Sequence, residues 1–123
     1  LQMTNILRDL HEDAARNRLY VPLTLLADHG IERTDALAQV LSHPAFARTC
    51  DAMAAKARAR FAEAKIIIAS CERQAVRPAA VMMEVYRAIL RGLETRGWQQ
   101  LDRAVRVPRL LKLWIVFRHG VMG

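Results

Sequence analysis

Four polar residues near the start of the chain fall on one face of a predicted helix: Gln2, Asn5, Asp9 and Asp13. Their spacing confines them to an arc of about 80° at 100° per residue, and we call this face the acidic ridge. Carboxylates one turn apart repel each other, and a divalent cation reverses the sign of that interaction. Because Mg²⁺ prefers oxygen ligands, commonly one or two carboxylates together with substrate phosphates, the acidic ridge is a candidate Mg²⁺ site.

Arginines beside the acidic ridge suit the same chemistry. Arg8 and Arg16 flank it, and the planar guanidinium fork of arginine binds phosphate oxygens through paired hydrogen bonds. A ridge of this composition can hold a metal ion and a phosphate group side by side. The alternative is a solvated polar face, which is the commonest origin of a polar stripe on an amphipathic helix. Spacing alone leaves both interpretations open.

Helical periodicity runs through nearly the whole chain, and no alternating strand pattern is present. The first helix is predicted over residues 1–16, and Pro22 and Gly30 punctuate the segment that follows it. The next predicted elements are a helical turn at 23–27, a short helix at 35–41, and a long helix from Pro44 to about Ser70 with Ser42 as its N-cap. A further helix is predicted to be opened by Arg77 and Pro78 and stopped by Gly97. The last predicted helix follows Pro108. The predicted fold class is all-α.

Composition narrows the class of protein further. The 123 residues are 53% hydrophobic and 25% charged, with a formal net charge of +7, so the chain can bury a core and favours anionic partners. No uncharged apolar stretch approaches the roughly 18 residues that span a bilayer. Two cysteines, Cys50 and Cys71, are too few for a disulfide framework, and a reducing cytoplasmic location is expected.

Basic and apolar residues alternate in the segment 103–118, which we call the basic tail. It carries five basic residues interleaved with leucines, Trp114 and Phe117. A basic amphipathic helix with aromatic residues can lie on an anionic membrane surface, and peripheral membrane contact is one prediction for this segment. The alternative is that the tail packs on the other helices, with Trp114 and Phe117 filling the core and the basic residues in solvent.

The first 22 residues, LQMTNILRDLHEDAARNRLYVP, resemble the second aspartate-rich region of the squalene and phytoene synthases, the head-to-head prenyl transferases. The family pattern L-Q-x-T-N-I-x-R-D-x-x-E-D-x-x-x-x-R-x-Y-x-P agrees at a dozen positions. The resemblance continues more loosely through EVYRAILRGLETRGW, residues 84–98, and within the family it is strongest to the bacterial presqualene diphosphate synthases of hopanoid biosynthesis. It implies that residues 1–123 form the C-terminal portion of an isoprenoid-synthase-type helical bundle, with the first aspartate-rich region upstream of Leu1.

The resemblance implies three groups of site residues. The Mg²⁺ ligands are Asn5, Asp9 and Asp13. The substrate-binding residues are Gln2, Arg8, Arg18 and Tyr86. The catalytic residues are Asp9, Asp13 and Tyr20. For Tyr86 the residues themselves leave a second interpretation open, because an aromatic side chain between Val85 and Ile89 is usually part of a core.

The resemblance also implies a reaction, the condensation of two molecules of farnesyl diphosphate to presqualene diphosphate. NADPH is expected only if the reaction continues to squalene, and phytoene or dehydrosqualene synthesis is the alternative within the family. An alternative of another class is a non-catalytic basic module that binds nucleic acid or assists assembly. We expect no nucleic-acid partner, because the basic residues occupy several faces and no helix-turn-helix pattern is present. With half of the metal ligands, residues 1–123 alone are expected to be inactive and to self-associate.

Overall fold

A computed structural model describes residues 1–32 and 36–119 of the chain. Seven α-helices occur in these ranges, and no β-strand does. The helices are α1 (Gln2–Arg8), α2 (Leu10–Ala15), α3 (Leu23–Asp28), α4 (Leu37–Leu41), α5 (Phe46–Ala69), α6 (Arg73–Arg96) and α7 (Arg109–Phe117). The all-α prediction is confirmed.

Two 24-residue helices, α5 and α6, form the framework of the molecule. Only three residues connect them, so they lie as antiparallel neighbours. Apolar residues at helical spacing on α5, among them Phe46, Met53 and Phe61, are buried against Leu90 and Leu93 of α6. Helix α1 packs on both α5 and α6, and α7 packs on α6. The helix that carries the acidic ridge is therefore fixed by the same core that positions the end of the chain.

Several predicted helix boundaries agree with the structure. The turn predicted at 23–27 is α3, and α5 ends at Ala69, next to the predicted Ser70. Gly97 ends α6 with a φ of 80°, and its N–H donates to the carbonyl of Leu93 at 3.0 Å. Glycine accepts this left-handed conformation without steric cost. The last helix starts directly after Pro108 as predicted, whereas position 35 of the short helix predicted at 35–41 lies outside the described residues.

Two predicted helix starts were wrong. Helix α6 begins at Arg73 and continues through Pro78. The extended residue Glu72 precedes the helix, and its carbonyl accepts the N–H of Val76 at 3.2 Å, so the first turn is already closed before the proline. Proline removes one hydrogen bond of the helix, which the packing of the long helix offsets.

Ser42 is not the N-cap of α5. Its hydroxyl donates to the carbonyl of Ala38 at 2.8 Å and so belongs to the end of α4. At the start of α5 the ring Nδ1 of His43 instead accepts the backbone N–H of Ala45 at 3.0 Å. His43 therefore supplies the hydrogen-bond acceptor at the start of α5 that the sequence pattern assigned to Ser42.

After α6 the chain doubles back along the helix it has just left. Trp98 is buried, and its indole Nε1 donates to Asp51 Oδ1 of α5 at 2.7 Å. Further along, Val105 lies so close to α6 that a Cβ placed on Gly92 would meet its Cγ1 at 2.7 Å. The absence of a side chain at position 92 therefore allows the segment before α7 to approach α6.

No helix in residues 1–32 and 36–119 combines the length and the apolar character needed to cross a membrane.

We expect Gly92→Ala to lower the free energy of unfolding, although alanine is the better helix former. Alanine gains about 1 kcal/mol in helix propensity, but overpacking against the stiff Val105 side chain costs about 1–3 kcal/mol. Urea denaturation of the full-length protein measures the difference. Adding Val105→Ala should restore the lost stability, and a Gly92→Ala variant more stable than its parent would contradict this account of the contact.

Candidate active site

The acidic ridge is organised by the backbone. The carbonyl of Asn5 accepts the N–H of Asp9 at 3.0 Å, and the carbonyl of Asp9 accepts the N–H of Asp13 at 2.8 Å. These three predicted metal ligands are thus successive members of one hydrogen-bonded column. All three are partly buried, whereas Gln2 at the start of the ridge is exposed.

The single helix predicted over residues 1–16 was wrong at Asp9, where the chain divides into α1 and α2. Asp9 has φ −99° and ψ 12°, close to the sparsely populated bridge region of backbone space. Arg8 Nε donates to Asp9 Oδ1 at 2.9 Å, and Arg8 Nη2 donates to Asp9 Oδ2 at 3.2 Å. Neighbouring residues of a regular helix point about 100° apart and do not face each other. The departure from helical geometry at Asp9 accommodates this pair.

The environment of Arg8 holds it as a cation. The hydrogen bond to Asp9 raises the pKa of Arg8 above its ordinary value, and this effect exceeds the lowering caused by partial burial. A hydrogen-bonding interaction with Tyr86 raises the pKa of Arg8 further. Tyr86 itself is partly buried against the core. The structure therefore brings together two predicted substrate-binding residues, Arg8 and Tyr86, from α1 and α6.

The residues of the acidic ridge carry side-chain oxygen atoms of the kind that bind a metal ion. Asn5 Oδ1 is buried, and no described residue donates a hydrogen bond to it. A buried acceptor without a partner is costly, and an ion or a bound water molecule removes that cost. The side chain of Asp13 forms no ion pair with a described residue, and Asp9 keeps 32% of its side-chain surface exposed.

The described residues do not by themselves complete a metal site. No cluster of three or more histidine, cysteine, aspartate and glutamate side chains with metal-binding geometry occurs among them. Mg²⁺ retains several waters and takes few protein ligands, so Asn5, Asp9 and Asp13 fit one wall of a site. Other ligands must come from the substrate or from additional protein.

The ridge ends in a tight turn that directs the next residues outward. Asn17 adopts a positive φ of 57°, its N–H donates to the carbonyl of Ala14, and the N–H of Arg18 donates to that of Asp13 at 2.8 Å. This pair of bonds is a Schellman motif, in which asparagine is the commonest substitute for glycine. Arg18 and Tyr20 are exposed beyond it, and neither lines the cavity that Arg8 and Asp9 line.

A cavity of about 550 Å³ lies beside Asp9, the member of the acidic ridge that lines it. Residues of α1 and α2, α6, and the chain from Leu101 to Lys112 line it. Arg8, Asp9 and Glu12 form its acidic and basic edge, and Val85 and Ile89 form part of its apolar wall. A polar rim beside an apolar wall is the arrangement typical of a site for an amphipathic ligand.

Three further cations line the same cavity: Arg106, Arg109 and Lys112. Sequence reasoning missed them as site residues, because it considered the basic tail only for membrane contact. The sequence holds no local signal for this role, because Arg106 precedes the last helix and the approach of all three to the cavity depends on the path of the chain after α6. In the structure these cations share the cavity with Arg8 and Asp9, which makes the site suitable for a polyanion that carries a metal ion.

Comparison with known sequences agrees with this geometry. The family model for squalene/phytoene synthases matches residues 1–111 of the chain. The chain belongs to the squalene/phytoene synthase family. The resemblance predicted from residues 1–22 is thus confirmed, and members of the family are prenyltransferases that generally depend on a divalent metal ion.

Individual relatives support the narrower resemblance to presqualene diphosphate synthases. A presqualene diphosphate synthase of Sinorhizobium fredii is 40% identical over 122 residues, which cover 99% of this chain and 43% of that protein. The enzyme of the same name from Rhodopseudomonas palustris is 34% identical, with the same coverage. A phytoene synthase of Thermus thermophilus is 36% identical over 93% of this chain and 37% of its own length. The chain therefore spans less than half the length of these relatives, and no solved structure matches it significantly.

We expect Asp13→Ala to weaken the Mg²⁺-dependent binding of inorganic pyrophosphate by the full-length protein. The loss of one carboxylate ligand should cost about tenfold in affinity, or about 1.4 kcal/mol. Isothermal titration calorimetry with Mg²⁺ and with excess chelator measures it. Asp28→Ala, at the exposed end of α3, is the matched control. Equal affinities for the two variants would show that Asp13 does not contribute to metal binding.

Proposed function

We propose that the enzyme to which this chain belongs condenses two molecules of farnesyl diphosphate head-to-head to presqualene diphosphate. One molecule loses diphosphate to give an allylic cation. The double bond of the second molecule attacks that cation, and loss of a proton closes a cyclopropane ring. The observation that carries the proposal is the cavity in which the Arg8–Asp9 pair, three more cations and an apolar wall meet.

Breaking the carbon–oxygen bond moves negative charge onto the diphosphate, and preorganised cations stabilise that charge as it develops. Arg8 offers a guanidinium whose orientation its two hydrogen bonds to Asp9 fix. Arg106, Arg109 and Lys112 in the cavity wall bind further phosphate oxygens. These groups stand in place before the reaction, so little reorganisation energy is needed.

The acidic ridge holds the metal in this proposal. Asn5 and Asp13 supply oxygen atoms that no described residue occupies, and Asp9 supplies the oxygen lone pairs that its contact with Arg8 leaves free. Mg²⁺ held by these residues would supply positive charge for the leaving diphosphate. Asp9 therefore has two roles, since it orients the guanidinium of Arg8 and contributes to the metal site.

Apolar residues protect the reaction from water. A carbocation next to water is captured as an alcohol, so the cavity must exclude solvent around the prenyl chains. Val85 and Ile89 on α6, together with Leu101, Val105 and Val107, supply an apolar wall beside the cations. Polar groups at one side and aliphatic groups at the other match a diphosphate joined to a hydrocarbon chain.

We further propose that residues 1–123 are the C-terminal portion of one helical domain and that a second aspartate-rich helix faces the acidic ridge. At 100° per residue the ridge lies opposite the buried side of α1, where Thr4 and Leu7 pack. The Asp-x-x-x-Asp pattern of Asp9 and Asp13 occurs once in the sequence. Chain 1–123 would supply only one of the two aspartate-rich helices that bind the metal, so it is expected to give no turnover by itself.

Phytoene synthesis from longer prenyl diphosphates is the second candidate. The relative from Thermus thermophilus, 36% identical and named a phytoene synthase, supports it. Reduction of the product to squalene, or synthesis of dehydrosqualene, is a further possibility within the same chemistry, and the formation of squalene requires NADPH as hydride donor. The two presqualene diphosphate synthases match over a larger share of this chain, which favours the first proposal.

Product analysis of the full-length enzyme tests the proposed reaction. Incubated with Mg²⁺ and farnesyl diphosphate without NADPH, it should release presqualene diphosphate, identified by mass spectrometry. Geranylgeranyl diphosphate should give little product, and chelation of Mg²⁺ should abolish turnover. A strong preference for geranylgeranyl diphosphate would favour phytoene synthesis instead, and turnover by chain 1–123 alone would overturn the proposal of a divided metal site.

We expect Arg8→Lys to lower kcat about 10- to 100-fold, although the positive charge is retained. Lysine cannot make the paired contacts of the guanidinium, and one lost charge-assisted hydrogen bond costs about 1.5–3 kcal/mol. Steady-state kinetics of the full-length enzyme measure the effect. Arg60→Lys, at an exposed ion pair with Glu63, is the control that should leave kcat unchanged. If both variants keep full activity, the fork of Arg8 has no part in the reaction.

A further inference from the structure

The chain between α6 and α7 is irregular, yet it supplies much of the lining of the candidate active-site cavity. We call residues 97–108 the return segment. Six of its residues line the cavity, and one of them is the cation Arg106. In the described part of the chain, one backbone hydrogen bond closes inside this segment, from the N–H of Arg103 to the carbonyl of Gln100 at 3.1 Å. Side chains must therefore hold most of its path.

One side chain at the end of α6 joins two parts of the return segment. Arg96 Nε donates to the carbonyl of Gly97 at 2.9 Å, and Arg96 Nη1 donates to the carbonyl of Arg103 at 2.9 Å. We call these two hydrogen bonds the Arg96 bridge. They close a loop that the backbone leaves open, and hydrogen bonds from a charged donor are stronger than those from a neutral one.

The same guanidinium packs on the residue that ties the return segment to α5. Arg96 Cζ lies 5.7 Å from the centre of the Trp98 ring, which is a cation–π contact. Trp98 is buried, and its indole N–H donates to Asp51 of α5 at 2.7 Å. The contacts of Arg96 thus connect the end of α6, the return segment and a neighbouring helix.

A charge at this position carries a cost that only its polar contacts offset. Burial lowers the pKa of Arg96, and charge interactions with Cys50 and Asp102 oppose that effect. Burial also raises the pKa of the Cys50 thiol to about 12, so the thiol is uncharged at neutral pH and Asp102 is the remaining acidic neighbour. An apolar side chain of similar length would avoid the desolvation cost, but it could not form the Arg96 bridge.

We infer that Arg96 is a positioning residue that holds the return segment in the path that keeps Arg106 in the cavity. Arg96 is not among the residues that line the cavity, so it acts through the return segment and not on the substrate. Arg106 is exposed and lies three positions after Arg103, the far end of the Arg96 bridge. The inference rests on the proposed function in one respect, which is the role of Arg106 in binding diphosphate.

Hydrogen–deuterium exchange of the full-length protein tests the Arg96 bridge. Arg96→Lys keeps the charge but loses the paired hydrogen bonds, so amides in residues 97–108 should exchange about tenfold faster, because local opening costs less. Exchange in α5 should stay unchanged, which separates local opening from a general loss of stability. Arg91→Lys, at an exposed arginine of the same helix, is the matched control and should leave exchange in the return segment unchanged.

The alternative is that apolar contacts hold the return segment without Arg96. Val107 is buried, and Val105 lies against α6 beside Gly92. If these contacts suffice, Arg96→Lys will leave the exchange of residues 97–108 at the rate of the parent protein. That result would overturn the inference.

A double-mutant cycle tests the coupling between Arg96 and Arg106. In isothermal titration calorimetry of the full-length protein with Mg²⁺ and inorganic pyrophosphate, Arg106→Ala should weaken binding about tenfold and Arg96→Lys about fivefold. The double variant should bind only about tenfold more weakly than the parent, since Arg96 then has no cation left to position. A loss of about fiftyfold, the product of two independent effects, would overturn the inference.

The same measurements distinguish this inference from the proposed function. Coupled losses of pyrophosphate binding in an enzyme that forms no presqualene diphosphate would support the role of Arg96 and contradict the proposed reaction alone. Absence of pyrophosphate binding by the parent protein would instead overturn both.

Discussion

The contact between Arg8 and Asp9 sets the geometry on which the candidate site depends. Asp9 departs from regular helical φ and ψ angles and accepts two hydrogen bonds from the guanidinium of Arg8. The backbone hydrogen bonds from Asn5 to Asp13 remain intact. The pair thus orients the guanidinium beside the cavity while the predicted metal ligands keep their helical register. Tyr86, from a helix far away in sequence, raises the pKa of the same guanidinium.

Packing between distant segments completes the site. Arg106, Arg109 and Lys112 reach the cavity because the chain after α6 lies closely along that helix, where Gly92 leaves room for Val105. The indole of Trp98 anchors the same return to α5 through Asp51. These contacts join residues whose separation in sequence is large, so the cations of the site are held by tertiary structure and not by a local motif.

The features that were predictable from the sequence are those that depend on interactions between residues close together in the chain. Helical periodicity, the glycine that stops α6 and the proline that precedes α7 act within a few residues, and the structure follows them. The departure from helical geometry at Asp9 was not predictable, because the periodicity of the sequence runs through it unbroken and carries no information on the Arg8–Asp9 side-chain pair. Cavity lining by Arg109 was likewise not predictable, since it requires the path of the chain between α6 and α7. The family motif predicts the chemistry of the ridge, whereas tertiary packing places Arg106, Arg109 and Lys112 in the cavity beside it.

The charges around the cavity are divided in a way that suits a metal diphosphate better than either component alone. Asp9 and Glu12 line the cavity from the first two helices, and the cations of the tail line it from the other end of the sequence. A free polyanion would be repelled by the acids, and a free metal ion by the cations. A diphosphate that carries Mg²⁺ presents each edge with its opposite charge, so binding of the metal and of the anion should be mutually dependent. Helix α7 supplies part of that cationic lining through Arg109 and Lys112, so the packing of α7 on α6 determines where the positive charge lies.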